Sequence, residues 1–294
     1  MSHDNDKLLV LQSCSPEGDT WLSFREPIET PIADLCKSLV EDRYNKPFLV
    51  ENRTTRSLCF GINGDVQSEM QLSEPETLVN AYTRKMMGFL LFRRRPREVI
   101  MIGLGGGSLT KYCHRHLPAT RLTIVEIDAG VIALRSHFEI PPDDSRLNVI
   151  SADGSAYIAQ LARTKQSADV LLVDAFDRNG IAASVTTRTF LKDARSALTP
   201  YGVFVMNIVA DEVSRKRYIK EIRLVFGDPV IAVAVGSGSN VVVFAGRALR
   251  NQRRLLAAAR YAKHIEDRLG LRFPTLLRKT NEFQSQLHFN EAIG

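Results

Sequence analysis

The run Val99-Ile100-Met101-Ile102-Gly103-Leu104-Gly105-Gly106-Gly107-Ser108 constrains this chain more than any other feature. Four β-favouring apolar residues deliver the backbone to a loop in which Gly103, Gly105 and Gly107 alternate, and the missing side chains let main-chain N–H groups approach a ligand. A helix is expected to begin at about Ser108. The next apolar run ends in Val125-Glu126-Ile127-Asp128, which puts Glu126 23 residues after Gly103. That distance accommodates one helix and one return strand, so Glu126 is expected beside the loop at the carboxyl edge of a parallel sheet. A carboxylate there can accept both hydroxyls of a ribose, and the loop and acid together read as a site for a nucleoside.

A glycine-rich turn by itself needs only to join a strand to a helix, and the order of the downstream segments argues for more. Leu147-Asn148-Val149-Ile150 leads into Ala152-Asp153-Gly154, Asp169-Val170-Leu171-Leu172-Val173 leads into Asp174, and Val203-Phe204-Val205-Met206 comes after Pro200-Tyr201-Gly202. In a doubly wound parallel sheet these strand ends share one edge, so Glu126, Asp153 and Asp174 are predicted to converge where the strand order reverses.

The remaining pattern gives four segments. Residues 1–73 carry short β-like runs (Leu8 to Leu11, Phe48 to Val50, Ser57 to Phe60, Val66 to Met70), a helix at about 29–40 and a hairpin turn at Asn63-Gly64, which together predict a small β-rich subdomain. Residues 74–97 read as a connecting helix and linker, with apolar positions Leu78, Tyr82, Met86 and Phe89 and a stop at Pro96. Residues 98–246 form the Rossmann-like, nucleoside-binding domain, closed by an antiparallel pair from Val230–Val235 and Val241–Ala245. Residues 247–294 read as a basic helical extension.

With 44% hydrophobic residues over 294 positions, the chain can bury a large core without disulfides or metal. Cys14, Cys36, Cys59 and Cys113 show no ligand spacing, so buried free thiols are expected and no metal site is indicated. The formal charge is +6, but residues 247–279 alone contribute +8 and leave the rest at −2. Leu255, Leu256, Ala259, Ala262 and Leu269 form an apolar stripe among those cations, and no aromatic residues interleave them as stacking platforms. A helix with a solvated basic face is therefore expected rather than a nucleic-acid surface. The Arg93-Arg94-Arg95-Pro96-Arg97 cluster likewise reads as a solvated connection. No basic leader opens the sequence and no apolar run approaches the roughly 20 residues needed to span a membrane. A cytoplasmic protein is expected.

Taken together, Ile102-Gly103-Leu104-Gly105-Gly106-Gly107-Ser108, Val125-Glu126-Ile127-Asp128, Ala152-Asp153-Gly154 and Val173-Asp174-Ala175-Phe176-Asp177 resemble the spermidine synthase (polyamine aminopropyltransferase) family in order and spacing. Met70-Gln71-Leu72-Ser73-Glu74 is similar to that family's strand-to-helix entry, and the likeness covers about residues 45–246. The resemblance implies a class I S-adenosylmethionine-dependent transferase fold, assembled as a homodimer or homotetramer. It implies transfer of an aminopropyl group from decarboxylated S-adenosylmethionine to an amine such as putrescine, releasing methylthioadenosine, with neither metal nor tightly bound cofactor. It further implies that Gly103, Gly105, Gly106, Gly107, Glu126, Ile127, Asp153 and Gly154 hold the nucleoside co-substrate. In the same way it assigns Asp174 to deprotonation of the attacking amine, and Asp177, Gln71 and Tyr82 to substrate contacts. The tyrosine of the family's connecting helix aligns near Asn80 or Tyr82.

Three departures stand against that pattern. Gly106 occupies the position of a loop aspartate that grips the donor's free amine, so intact S-adenosylmethionine becomes an admissible donor. Asp174-Ala175-Phe176-Asp177-Arg178 replaces Asp-Ser-x-Asp-Pro, and Asn207 follows the fifth strand where many relatives have glutamine. A methyltransferase on the same sheet is the first alternative, and a catalytically inactive nucleoside-binding dimeric protein is the second.

Overall fold

The computed structural model describes residues 8–15, 18–61, 66–164, 166–178, 180–236, 240–250 and 252–282. Its strands are β1 (Leu9–Ser15), β2 (Gly18–Phe24), β3 (Phe48–Glu51), β4 (Thr55–Cys59), β5 (Ser68–Gln71), β6 (Glu98–Ile102), β7 (Arg121–Glu126), β8 (Leu147–Ser151), β9 (Ala168–Val173), β10 (Phe176–Asp177), β11 (Gly180–Ile181), β12 (Leu198–Val209), β13 (Ile231–Ala234) and β14 (Asn240–Ala245). Its helices are α1 (Ile32–Val40), α2 (Ala81–Met86), α3 (Ser108–His116), α4 (Ala129–Ala133), α5 (Gly154–Thr164), α6 (Arg188–Ser196), α7 (Glu212–Phe226) and α8 (Gln252–Leu269). The chain divides into two units, one of Met1–Val79, Gly105–Tyr112 and Asp128–Pro142, the other of Asn80–Leu104, Cys113–Ile127 and Asp143–Gly294.

In the first unit, β1 to β5 form an antiparallel sheet in sequence order. Its core joins Leu35 and Leu39 of α1 to Phe24, Tyr44, Phe48 and Cys59, with Phe24 stacked on Phe48 at 5.1 Å and edge-on to Tyr44 at 5.5 Å. Strand β2 is an element that the sequence reading passed over, although Ser15-Pro16-Glu17-Gly18 is a turn signal between it and β1, because Trp21-Leu22-Ser23-Phe24 is a short apolar run interrupted by a serine. Helix α1 starts at Ile32 rather than 29, since Pro31 at its N-cap has the extended ψ of 117°. The Asn63-Gly64 turn lies outside the described residues, while β4 and β5 on either side pair antiparallel. Asp128 opens α4 by accepting from Gly130 N at 2.7 Å.

In the second unit, seven strands lie in the order β13-β14-β12-β9-β6-β7-β8. Strands β12, β9, β6, β7 and β8 run parallel, and β14 and β13 close the sheet antiparallel. The chain leaves β6 toward β7 and β8 and then returns to β9 and β12 on the other side, so the strand order reverses at β6. Every residue of β9 is buried, as an interior parallel strand covered on both faces requires. Phe190, Phe204, Phe226 and Val243 join Ile100, Ile102 and Val173 in its core.

Three expectations change here. The helix expected from Glu74 begins only at Ala81 and passes into a 3-10 turn over Met87–Leu91. Residues 74–77 instead make a turn, with Thr77 N donating to Glu74 O at 3.0 Å. Asn207 lies inside the long fifth parallel strand, β12, rather than after it. The arginine cluster is not merely solvated: Arg93 pairs with buried Asp169, and Arg94 lies 4.3 Å over the Tyr261 ring. The buried face of α8 runs through Ala258, Ala262 and Ile265; the side chains of Leu255, Leu256 and Ala259 lie outside the described set. Among the described residues, no helix is long and apolar enough to cross a membrane.

Candidate active site

Backbone hydrogen bonds continue the parallel ladder past the ends of β6, β8 and β9. Gly103 N donates to Val125 O at 2.9 Å, Ala152 N to Glu126 O at 3.0 Å, and Asp174 N to Ile102 O at 2.9 Å. The second unit therefore holds Gly103, Glu126, Asp153 and Asp174 on one sheet edge, beside the reversal at β6. At Gly103 only glycine fits. Its φ is +99°, and a Cβ there would lie 2.1 Å from the carbonyl oxygen of Asp174. Glu126 is nearly buried, and its Oε2 accepts the Leu104 amide at 2.8 Å, so the carboxylate is fixed against the glycine loop.

Asp174 follows the last residue of β9 on this edge. Its Oδ1 accepts from Asn207 Nδ2 at 2.9 Å, and the Tyr82 hydroxyl also donates to the carboxylate. Withdrawal from water pushes the Asp174 carboxyl up from its ordinary value, with the Asn207 and Tyr82 hydrogen bonds pulling it down. Burial pushes the Tyr82 phenol well up, and the charge and hydrogen bond of Asp174 act in the same direction. Tyr82, rather than Asn80, is thus the residue of the 80–82 segment that meets the acid. Its place on α2 was legible from helical spacing, whereas the link from Asn207 was not, because β12 brings that residue in from 33 positions further along the chain.

The other expected contacts in this unit have mixed surroundings. Asp153 Oδ1 accepts from Ala156 N at 2.7 Å and caps α5, which starts at Gly154. An Asp-Gly pair before a helical pattern carries that N-cap signal. Asp177 is exposed on the two-residue strand β10, paired with Gly180 of β11. Ile127 is 68% exposed where the chain leaves β7.

The first unit contains Gly105, Gly106 and Gly107 together with Gln71, which is exposed at the end of β5. Gly106 does not leave vacant space: a Cβ would lie 2.7 Å from Ser68 Oγ and 2.9 Å from Phe138 Cδ1. The room that an acidic side chain would need is filled by a hydroxyl and a phenyl ring. Lys111, on α3 after this loop, is buried and donates to Phe138 O at 2.7 Å, and burial lowers its ammonium to about 8. Sequence reading missed Lys111, since one lysine on an amphipathic helix looks like a surface charge. Among the described residues, no group of three His, Cys, Asp or Glu could hold a metal ion.

Comparison with known proteins places these features in context. The sequence profile for the spermine/spermidine synthase domain matches residues 79–225. The polyamine aminopropyltransferase of Chromobacterium violaceum is 34% identical over 237 residues, covering 80% of this chain and 89% of the relative. That of Neisseria meningitidis serogroup B is 35% identical over 229 residues, covering 77% and 86%. Among solved structures, a probable spermidine synthase from Corynebacterium glutamicum superposes with a TM-score of 0.57 at 19% identity, covering 74% of this chain and 84% of that one. Human methyltransferase-like protein 13, bound to SAH, also gives 0.57, at 24% identity over 63% of this chain and 91% of that one. At these identities the two superpositions establish the fold.

Proposed function

Because this chain belongs to the spermine/spermidine synthase family, we propose that it is an aminopropyltransferase whose donor is decarboxylated S-adenosylmethionine and whose acceptor is a primary amine of the putrescine type. The observation that carries the chemistry is Asp174, a partly buried carboxylate held by Asn207 and Tyr82 at the strand edge that also bears Glu126. A protonated amine has no lone pair. It must lose a proton before it can attack the donor's methylene carbon, and the raised proton affinity of Asp174 narrows the gap to an alkylammonium near pH 10. The amine's lone pair then forms the N–C bond while the C–S pair returns to sulfur, so the cationic sulfonium leaves as neutral methylthioadenosine.

Glu126 holds the ribose in this reading, with the Gly103 amide beside the nucleoside and Ile127, Asp153 and Gly154 toward the base. Tyr82 and Asp177 meet the amine. No tightly bound cofactor is required. Free thiols at Cys36, Cys59 and Cys113 accord with a cytoplasmic setting, and we expect a homodimer or homotetramer. The deciding experiment incubates the protein with decarboxylated or intact S-adenosylmethionine and a panel of amines, then identifies both products by mass spectrometry. Methylthioadenosine with an amine heavier by one aminopropyl group is the expected result. S-adenosylhomocysteine would instead make the protein a methyltransferase, and neither nucleoside product would make it a binding protein.

A further inference from the structure

Asn207 is 3% exposed near the carboxyl end of β12, flanked by Val205, Met206, Ile208 and Val209. Its Nδ2 donates to Asp174 Oδ1 at 2.9 Å, while its own Oδ1 is buried with no hydrogen-bond partner among the described residues. A buried acceptor left unpaired weakens a fold, and a leucine of similar size would remove that penalty. The amide's orientation is nevertheless set, because the reverse placement would bring its oxygen against a carboxylate oxygen. We propose that Asn207 is a positioning residue for the transfer reaction, a fixed donor that holds Asp174 Oδ1 and leaves the other carboxylate oxygen to take the proton from the amine. The inference rests on the reading of Asp174 as proton acceptor.

The orphaned oxygen separates this role from a packing role. Among the described residues the oxygen contributes no hydrogen bond to the fold, so the polar contact that Asn207 supplies is the one to Asp174. Removing the donor should therefore leave the fold intact and alter the proton affinity of Asp174, because a hydrogen bond to a carboxylate favours its charged form.

The test compares the parent with Asn207→Leu, Asn207→Asp and Asp174→Asn. Carboxyl carbon NMR of labelled aspartate follows the Asp174 titration in the free protein, with Asp174→Asn identifying the resonance. Release of methylthioadenosine from decarboxylated S-adenosylmethionine and putrescine gives the pH profile of kcat. In Asn207→Leu the Asp174 midpoint and the acid limb of kcat should both rise by about one pH unit, with KM little changed and the alkaline plateau retained. Urea unfolding below the Asp174 midpoint, where the carboxyl is protonated and the lost hydrogen bond matters least, should show Asn207→Leu about as stable as the parent. Asn207→Asp should move the titration the same way through like-charge repulsion, and it supplies the reading should the leucine variant not fold. An unmoved Asp174 midpoint in the folded variants overturns the positioning role. Undiminished turnover in Asp174→Asn overturns the proton-acceptor reading instead.

Discussion

The Leu104 amide donates to Glu126 Oε2 at 2.8 Å, which ties the carboxylate expected to hold a ribose to the backbone of the glycine loop. Glu126→Ala should therefore have two effects. Loss of a hydrogen bond to a charged group should weaken methylthioadenosine binding and also destabilise the fold, by about 1.5–3 kcal/mol at most in each case. Glu126→Gln keeps an acceptor for Leu104 N and should retain most of the stability while still losing affinity. Calorimetric titration and urea unfolding of the two variants check this, and equal affinity in all three proteins would remove Glu126 from the nucleoside site.

Asp174 should trade stability for chemistry. Its carboxyl is pushed up in the fold, so between the unfolded value of 3.8 and the raised folded value the native state binds the extra proton. The group's contribution is thus present below pH 3.8 and is lost as pH rises through the folded value. At neutral pH, Asp174→Asn should unfold at a higher urea concentration than the parent, with kcat lower by roughly 10²–10⁴ and nucleoside affinity unchanged. A variant less stable than the parent would contradict the assigned direction.

Around Gly106, substitution tests packing before it tests donor choice. Gly106→Ala places a Cβ 2.7 Å from Ser68 Oγ and 2.9 Å from Phe138 Cδ1, and should cost about 1–3 kcal/mol in urea unfolding, partly relieved by Ser68→Ala. Without a loop acid, no carboxylate at this position opposes that of intact S-adenosylmethionine, a repulsion worth about 4 kcal/mol at 4 Å and an effective dielectric of 20. The parent should bind intact and decarboxylated donors within about tenfold of each other. A hundredfold preference in calorimetry would assign the selectivity to an acid elsewhere.

Lys111 should leave a mark at alkaline pH. The folded state releases its proton at about 8 and the unfolded chain near 10.5, so stability from this group rises as pH climbs between those values. The full effect is on the order of 3 kcal/mol for a side chain this buried. The difference in urea midpoint between the parent and Lys111→Met, measured at pH 7.5 and at pH 10, should shift in the parent's favour at the higher pH. A constant difference would show that the ammonium is not depressed.

The sequence carried the second unit's architecture well because parallel strands buried on both faces are written as continuous apolar runs, and Ala168–Val173 is the clearest of them. It carried the strand-end acids for the same reason: once Gly103, Glu126 and Asp174 fall at the ends of such runs, topology brings them together. What it did not carry depends on single contacts across long separations. Asn207 meets Asp174 only because β12 lies beside β9, and the filling of Gly106's space depends on Ser68 and Phe138. Asp153 was read for its place after a strand, and its hydrogen bond to Ala156 N shows that helix α5 uses the same side chain.

The bond from Asp174 N to Ile102 O ties the proposed proton acceptor to β6, an interior strand of the parallel sheet, while Asp177, three residues on, sits in a ribbon of only two paired positions per strand. Two neighbouring carboxylates thereby acquire different freedom to change. On the proposed roles of Asp174 and Asp177, substitutions in the ribbon are expected to leave the strand end that takes the proton in place. Acceptor preference and pH dependence would then be separable traits within one short segment, open to independent alteration in an engineered or diverging relative.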